Sequence, residues 1–136
     1  MDQTEQLHGL MPLCGTLGMR VVRFGPDAIE LEMDWTPDRC TSNGLLHGGA
    51  LMALADSAGG ACAFTNLPEG ATGTSTIESK TNFLGAVRDG AVRAVARPLH
   101  IGSTTIVVET EVRDGEGHLV MKTTQTQIVL KPRSSG

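Results

Sequence analysis

The sequence predicts an α+β domain in which an antiparallel β-sheet of about six strands wraps round one long α-helix. Three observations predict it. A strictly alternating strand, Ala28 to Trp35, puts Ile29, Leu31, Met33 and Trp35 on one face and Glu30, Glu32 and Asp34 on the other. A long apolar stretch with helical character, Gly48 to Phe64, follows it. Beyond that stretch only extended segments are found, separated by Asp-Gly turns. A lone apolar helix needs cover on every side, and one antiparallel sheet supplies most of it.

The elements follow in order. Leu17 to Phe24 is apolar and β-branched and is expected as the first strand. Phe24-Gly-Pro-Asp-Ala28 turns into the alternating strand, so the two form a hairpin. Thr36 to Gly44 is a loop, the helix spans Gly48 to Phe64, and Leu67 to Gly73 is the next loop. Four strands complete the sheet: Thr74 to Leu84, Ala91 to His100, Thr104 to Arg113 and His118 to Leu130. Their turns are Asp89-Gly90, Gly102-Ser103 and Asp114 to Gly117. Residues 1–136 thus read as one domain, with a core of about residues 17–130 and a tail at 131–136. Six strands leave open edges and an uncovered flank, for which self-association is the usual remedy.

Composition narrows the function classes. A net charge of −4 without a basic cluster speaks against nucleic acid. The polar, acidic start is unlike a signal peptide, and the longest apolar run, Ala50 to Ala55, is too short for a membrane span. Cys14, Cys40 and Cys62 are odd in number and match no metal spacing, so free thiols in a reducing cytoplasm are expected.

The chemistry concentrates in the helix. Asp56 is its one acid, and no lysine or arginine in the helix can pair with it. A carboxylate there is costly unless it is paired, reaches solvent or works. His47-Gly48-Gly49 stands at the entrance. Glycines are poor helix formers, and suit a place where something approaches the backbone closely. Free N–H groups and the partial positive charge of a helix start make an oxyanion site. A hinge with His47 as a cap would use the same tripeptide. Met52 and Ala53 precede Asp56 by a turn, and Gly59 and Gly60 follow it, which suggests the close approach of another backbone. Gly48 and Asp56 lie about 12 Å apart along the axis, too far to act on one carbonyl from one helix. If they act together, the site spans two chains packed side by side.

His47-Gly-Gly49 followed by an apolar helix with an acid nine positions after the histidine resembles hotdog-fold thioesterases of the PaaI type. Asn82 to Gly90 (NFLGAVRDG) and His100 to Thr126 are similar to that family's later strands. The resemblance covers about residues 17–130. It implies hydrolysis of an acyl-CoA to free acid and CoA, no metal or other cofactor, and assembly into homodimers and homotetramers. By resemblance, Asp56 is the catalytic acid, serving as general base or as nucleophile. Gly48 offers the N–H that polarises the thioester carbonyl, and His47 supports the carbonyl or its loop. Thr76 falls where the family places a Ser or Thr that positions the water or the acid, with Ser75 the neighbouring choice. Gly49, Thr41 and Asn43 belong to the substrate-binding group. The family often has an amide six positions before the histidine. Here that position is Thr41, and Asn43 stands two residues later.

Two rivals share the fold: a hydratase or dehydratase, whose His and acid arrangement is not found, and a non-catalytic acyl-CoA-binding protein. Lys80, Arg88, Arg93 and Arg97 are candidates for the nucleotide end of CoA, or else solvated strand charges. His8, His100 and His118 receive no role. The acyl group is not legible.

Overall fold

The computed structural model describes residues 1–133 of the chain. Six antiparallel strands form one sheet in the order β1-β2-β4-β5-β6-β3. They are β1 (Arg20–Phe24), β2 (Ile29–Asp34), β3 (Gly73–Phe83), β4 (Ala91–Ile101), β5 (Thr105–Arg113) and β6 (Leu119–Leu130). Three α-helices accompany them among the described residues, α1 (Gln3–Leu10), α2 (Pro12–Thr16) and α3 (Gly48–Phe64), and the loop before α3 holds two single 3-10 turns, Pro37–Arg39 and Ser42–Gly44. The expected tail at 131–136 falls partly outside the described residues, since 134–136 are not among them.

The long helix α3 packs across β2, β3, β4, β5 and β6. Leu51, Leu54, Ala55, Ala58 and Cys62 are buried on its sheet side. Burying one leucine such as Leu54 contributes roughly 1.5–3 kcal/mol. The alternation in β2 is realised: Ile29, Leu31 and Met33 are fully buried, and Glu30 and Glu32 face outward. There Arg93 on β4 meets both glutamates, at 3.8 and 3.5 Å.

The start of the chain differs from expectation. Leu17 to Met19 is not strand, and β1 begins at Arg20. The preceding residues form α1 and α2, which the sequence pattern does not announce. Asp2 caps α1 by accepting from Glu5 N–H at 2.8 Å, and Pro12 opens α2. Gly18, at φ +64°, then turns the chain into β1, a backbone shape that suits glycine. Leu7 is buried, and Thr4 accepts from Val21 N–H on β1 at 3.0 Å. α1 therefore depends on the sheet rather than on its own periodicity.

Two features position the site. The inner face of β6 changes character along its length: Met121 and Val129 are apolar, but Thr123, Gln125 and Gln127 between them are buried and polar. Such residues are seldom buried without partners. Meanwhile β3 lies at the sheet edge, and Ser75 to Lys80 are exposed without a break. Ile77, at the bulge in the β3–β6 pairing, is 59% exposed.

Candidate active site

The helix entrance is built by His47. Its backbone is extended, and its Nδ1 accepts from Gly49 N–H at 2.8 Å, closing the N-cap. An accepting Nδ1 puts the proton of the neutral ring on Nε2. The Gly49 N–H is thereby used, while the Gly48 N–H makes no hydrogen bond to the described residues. A free N–H at a helix start can receive a developing oxyanion.

Both entrance glycines are explained by space. A Cβ at Gly49 would sit 2.9 Å from His47 Nδ1, and one at Gly48 would sit 3.2 Å from the Phe83 ring. The Phe83 ring, 52% exposed, lies over the first turn of α3. A cavity of about 290 Å³ opens here, lined by Thr41, Leu45, Gly48, Phe83 and Val87, among others. Thr41 thus lines the same cavity as Gly48. Asn43 is not on the cavity wall, and its backbone occupies a left-handed turn at φ +66°.

Asp56 sits two turns along the same helix, exposed, with its carboxylate held on one side. Oδ1 accepts from Thr76 Oγ1 at 3.1 Å and from Gln125 Nε2 at 3.2 Å. Gln127 Nε2 in turn donates to Thr76 Oγ1 at 2.6 Å. Oδ2 has no hydrogen-bond partner among the described residues. Ser75 makes no such bond. It neighbours Thr76 on a strand, where side chains alternate between faces, and Thr76 is the residue paired with the buried Gln127.

Gly59 completes the arrangement. A Cβ there would lie 2.1 Å from Gln125 Oε1, so only glycine admits the Gln125 amide between helix and sheet. Close approach at this turn therefore serves a side chain of the same chain, not another backbone. At Gly60 an added Cβ would meet nothing within 4 Å among the described residues. Gln125 Oε1 is buried and unpartnered among the described residues.

The sequence pattern did not single out Gln125, Gln127 or Phe83, and it marked Gly59 for another backbone where the structure places the Gln125 side chain. A signal was present for the glutamines: Met121, Thr123, Gln125, Gln127 and Val129 share one parity in the last strand, apolar at both ends and polar in the middle.

The thiols fall away as nucleophiles, whereas three of the four candidate cations stay available. All three cysteines are free thiols. Burial pushes the Cys62 thiol up to about 11 and also raises Cys14, so neither offers a ready thiolate. Arg93 is engaged by Glu30 and Glu32. Lys80, Arg88 and Arg97 are exposed, without a carboxylate partner among the described residues. No described helix is long and apolar enough to cross a membrane.

Comparison with known proteins gives a consistent picture. A family model described as the thioesterase superfamily matches residues 43–121. The 1,4-dihydroxy-2-naphthoyl-CoA hydrolase of Escherichia coli K12 is 33% identical over 118 residues, which cover 87% of this chain and 86% of the relative. A thioesterase crystal structure from Haemophilus influenzae superposes with a TM-score of 0.87 at 29% identity, covering 96% of this chain and 92% of that one. A mutant thioesterase from Pseudomonas aeruginosa gives 0.86 at 28% identity, with 96% and 95% covered.

Proposed function

The chain belongs to the thioesterase superfamily, has the hotdog fold and is a thioester hydrolase of acyl-CoA, and from that premise we propose that Asp56 of one copy and the Gly48 N–H of a second copy carry out the hydrolysis together. One observation carries this. The two Asp56 donors converge on Oδ1 and leave Oδ2 free at the exposed face of an otherwise apolar helix. Oδ2 then drives attack on the thioester carbonyl, by taking a proton from water or by adding to the carbon itself. The Gly48 N–H receives the charge that develops on the carbonyl oxygen. In the water route CoA leaves as the thiol with the proton that Asp56 took up. In the nucleophilic route CoA leaves with a proton from solvent, and water then cleaves the acyl–Asp56 anhydride to free acid and the restored carboxylate.

Sharing between two copies follows from distance and from exposed surface. Gly48 and Asp56 are about 12 Å apart on one helix. Alongside them, the open edge of β3 and the exposed Met52, Phe64, Ile77 and Phe83 offer a second copy both backbone groups and apolar area. A homodimer suffices for two complete sites. Three free cysteines suit a reducing cytoplasm. Kinship with an enzyme named for a naphthoyl-CoA supports an aromatic acyl group as the substrate class, in keeping with a PaaI-like role. The Phe83 ring beside the Gly48 N–H supplies a surface for it.

The test is a mixing experiment on CoA release from naphthoyl, phenylacetyl and short linear acyl-CoA. Asp56→Ala should be folded and lose about 10²- to 10⁴-fold in kcat. A bulky residue at Gly48 should also silence the enzyme. Subunit exchange between the two inactive proteins should restore part of the activity, since one site per mixed dimer regains both groups. No recovery despite exchange proven by mass spectrometry would rule out the shared site.

A further inference from the structure

We propose that Gln127 is a positioning residue for Asp56, acting through Thr76. This rests on Asp56 being the acid of the reaction proposed above. Gln127 is 1% exposed on the inner face of β6, opposite Thr76 in the β3–β6 pairing. Its Nε2 lies 2.6 Å from Thr76 Oγ1, and that hydroxyl lies 3.1 Å from Asp56 Oδ1.

The direction of the chain follows from the donor inventory. A hydroxyl has one hydrogen to give and two lone pairs to offer, and a carboxylate only accepts. Thr76 must therefore spend its single proton on Asp56 Oδ1. Its contact with Gln127 is then one in which the amide N–H donates and the hydroxyl accepts. The order Gln127 to Thr76 to Asp56 has one consistent sense. Each bond polarises the next, so the donated hydroxyl is a stronger partner for the carboxylate than an isolated threonine would be.

Two consequences separate this from a generic polar contact. First, Thr76 has no proton left for a water or for the thioester. Its hydroxyl orients the acid, and its other neighbour is an amide of the same chain. Secondly, Asp56 is gripped at one oxygen only. Gln125 Nε2 reaches the same Oδ1 at 3.2 Å, so both donors hold one oxygen and Oδ2 is left without a hydrogen-bond partner among the described residues. The scaffold for this lies in β6, beyond the segment matched by the family model, which ends at residue 121.

A double-mutant cycle on kcat and KM tests it, using the intact chain and an acyl-CoA that the wild type hydrolyses. Gln127→Met keeps the length of the side chain and removes its donor. It should lower kcat about tenfold with KM within about twofold, because a hydrogen bond supporting a charged group is lost. Thr76→Val should do the same or more, and Thr76→Ser, which keeps the hydroxyl, should retain kcat within about threefold. The double variant Gln127→Met with Thr76→Val should be no slower than Thr76→Val alone, since Gln127 acts only through that hydroxyl. A purely structural glutamine would lower stability independently of Thr76, and the two losses would multiply. Wild-type kcat in folded Gln127→Met, multiplied losses in the double variant, or equal losses in Thr76→Ser and Thr76→Val would each overturn the proposal while Asp56→Ala stays inactive. An active Asp56→Ala would instead remove the reading on which it stands. Should Gln127→Met fail to fold, Gln127→Ala carries the same cycle with the same outcomes.

Discussion

Gly48–Gly49 and Gly59–Gly60 lie on one helix, eleven residues apart, and neither pair uses the left-handed backbone that glycine uniquely tolerates. Three of the four make room. At the entrance the space is filled by rings, His47 against Gly49 and Phe83 against Gly48, both at the surface. About three turns later it is filled by the buried Gln125 amide against Gly59. Gly60 makes room for nothing among the described residues of its own chain. Two like dipeptides thus meet different demands, and what separates them is how freely the intruding side chain could withdraw.

That difference orders the expected effects of adding one methyl group. Gly59→Ala should be the most damaging. Its Cβ would lie 2.1 Å from Gln125 Oε1 and 2.5 Å from Cδ, and Gln125 is fully buried with nowhere to retreat. Overpacking of this kind costs about 1–3 kcal/mol. Loss of the Gln125 bond should also lower kcat about tenfold. Thermal melts and kinetics check both. Adding Gln125→Ala should remove most of the stability cost of Gly59→Ala, because the clash has a single source.

Gly49→Ala comes next. Its Cβ would fall 2.9 Å from His47 Nδ1, but the exposed ring can swing into solvent. The cost is then the cap, about 0.5–2 kcal/mol, offset by roughly 1 kcal/mol of better helix propensity. A stability change near zero is expected, together with a weakened enzyme if His47 must be held in place to support the thioester. Unchanged kinetics would mean that the cap serves the helix alone.

The difference between the pairs also explains what the sequence could and could not show. The limits of α3 were legible because His47-Gly48-Gly49 marks its entrance and the apolar run ends at Phe64 before the Leu67 to Gly73 loop, signals local to the segment. β4, β5 and β6 were legible to within a residue, since Asp-Gly turns punctuate them. α1 and α2 were not, because α1 buries only Leu7 and owes its place to Asp2 and to the distant Val21. Asp56 and Thr76 could be named from the helix and from family resemblance. Gln125 and Gln127 could not, since their roles depend on the β3–β6 register across about fifty residues and on the bulge at Ile77. The same dependence misled the reading of Gly59, whose intruder comes from the far end of the chain.

Gly60→Ala should have the smallest effect, and it is informative for that reason. Within one chain its Cβ meets nothing, so the substitution should only gain helix propensity, up to about 1 kcal/mol. In the proposed dimer this turn lies one turn beyond Asp56, on the stripe that includes Met52 and Phe64. If the second copy leaves space there, for instance for the acyl group, the melting temperature should rise while KM for the larger acyl-CoA rises with it. If the second copy packs directly on Gly60, the added methyl should weaken association and make the melting temperature more dependent on protein concentration. Melting curves at two concentrations, beside KM for a small and a large acyl-CoA, separate the two. A gain in stability with KM unchanged for every substrate would place Gly60 outside both the acyl pocket and the dimer contact, and would move the shared site toward the Gly48 end of the helix.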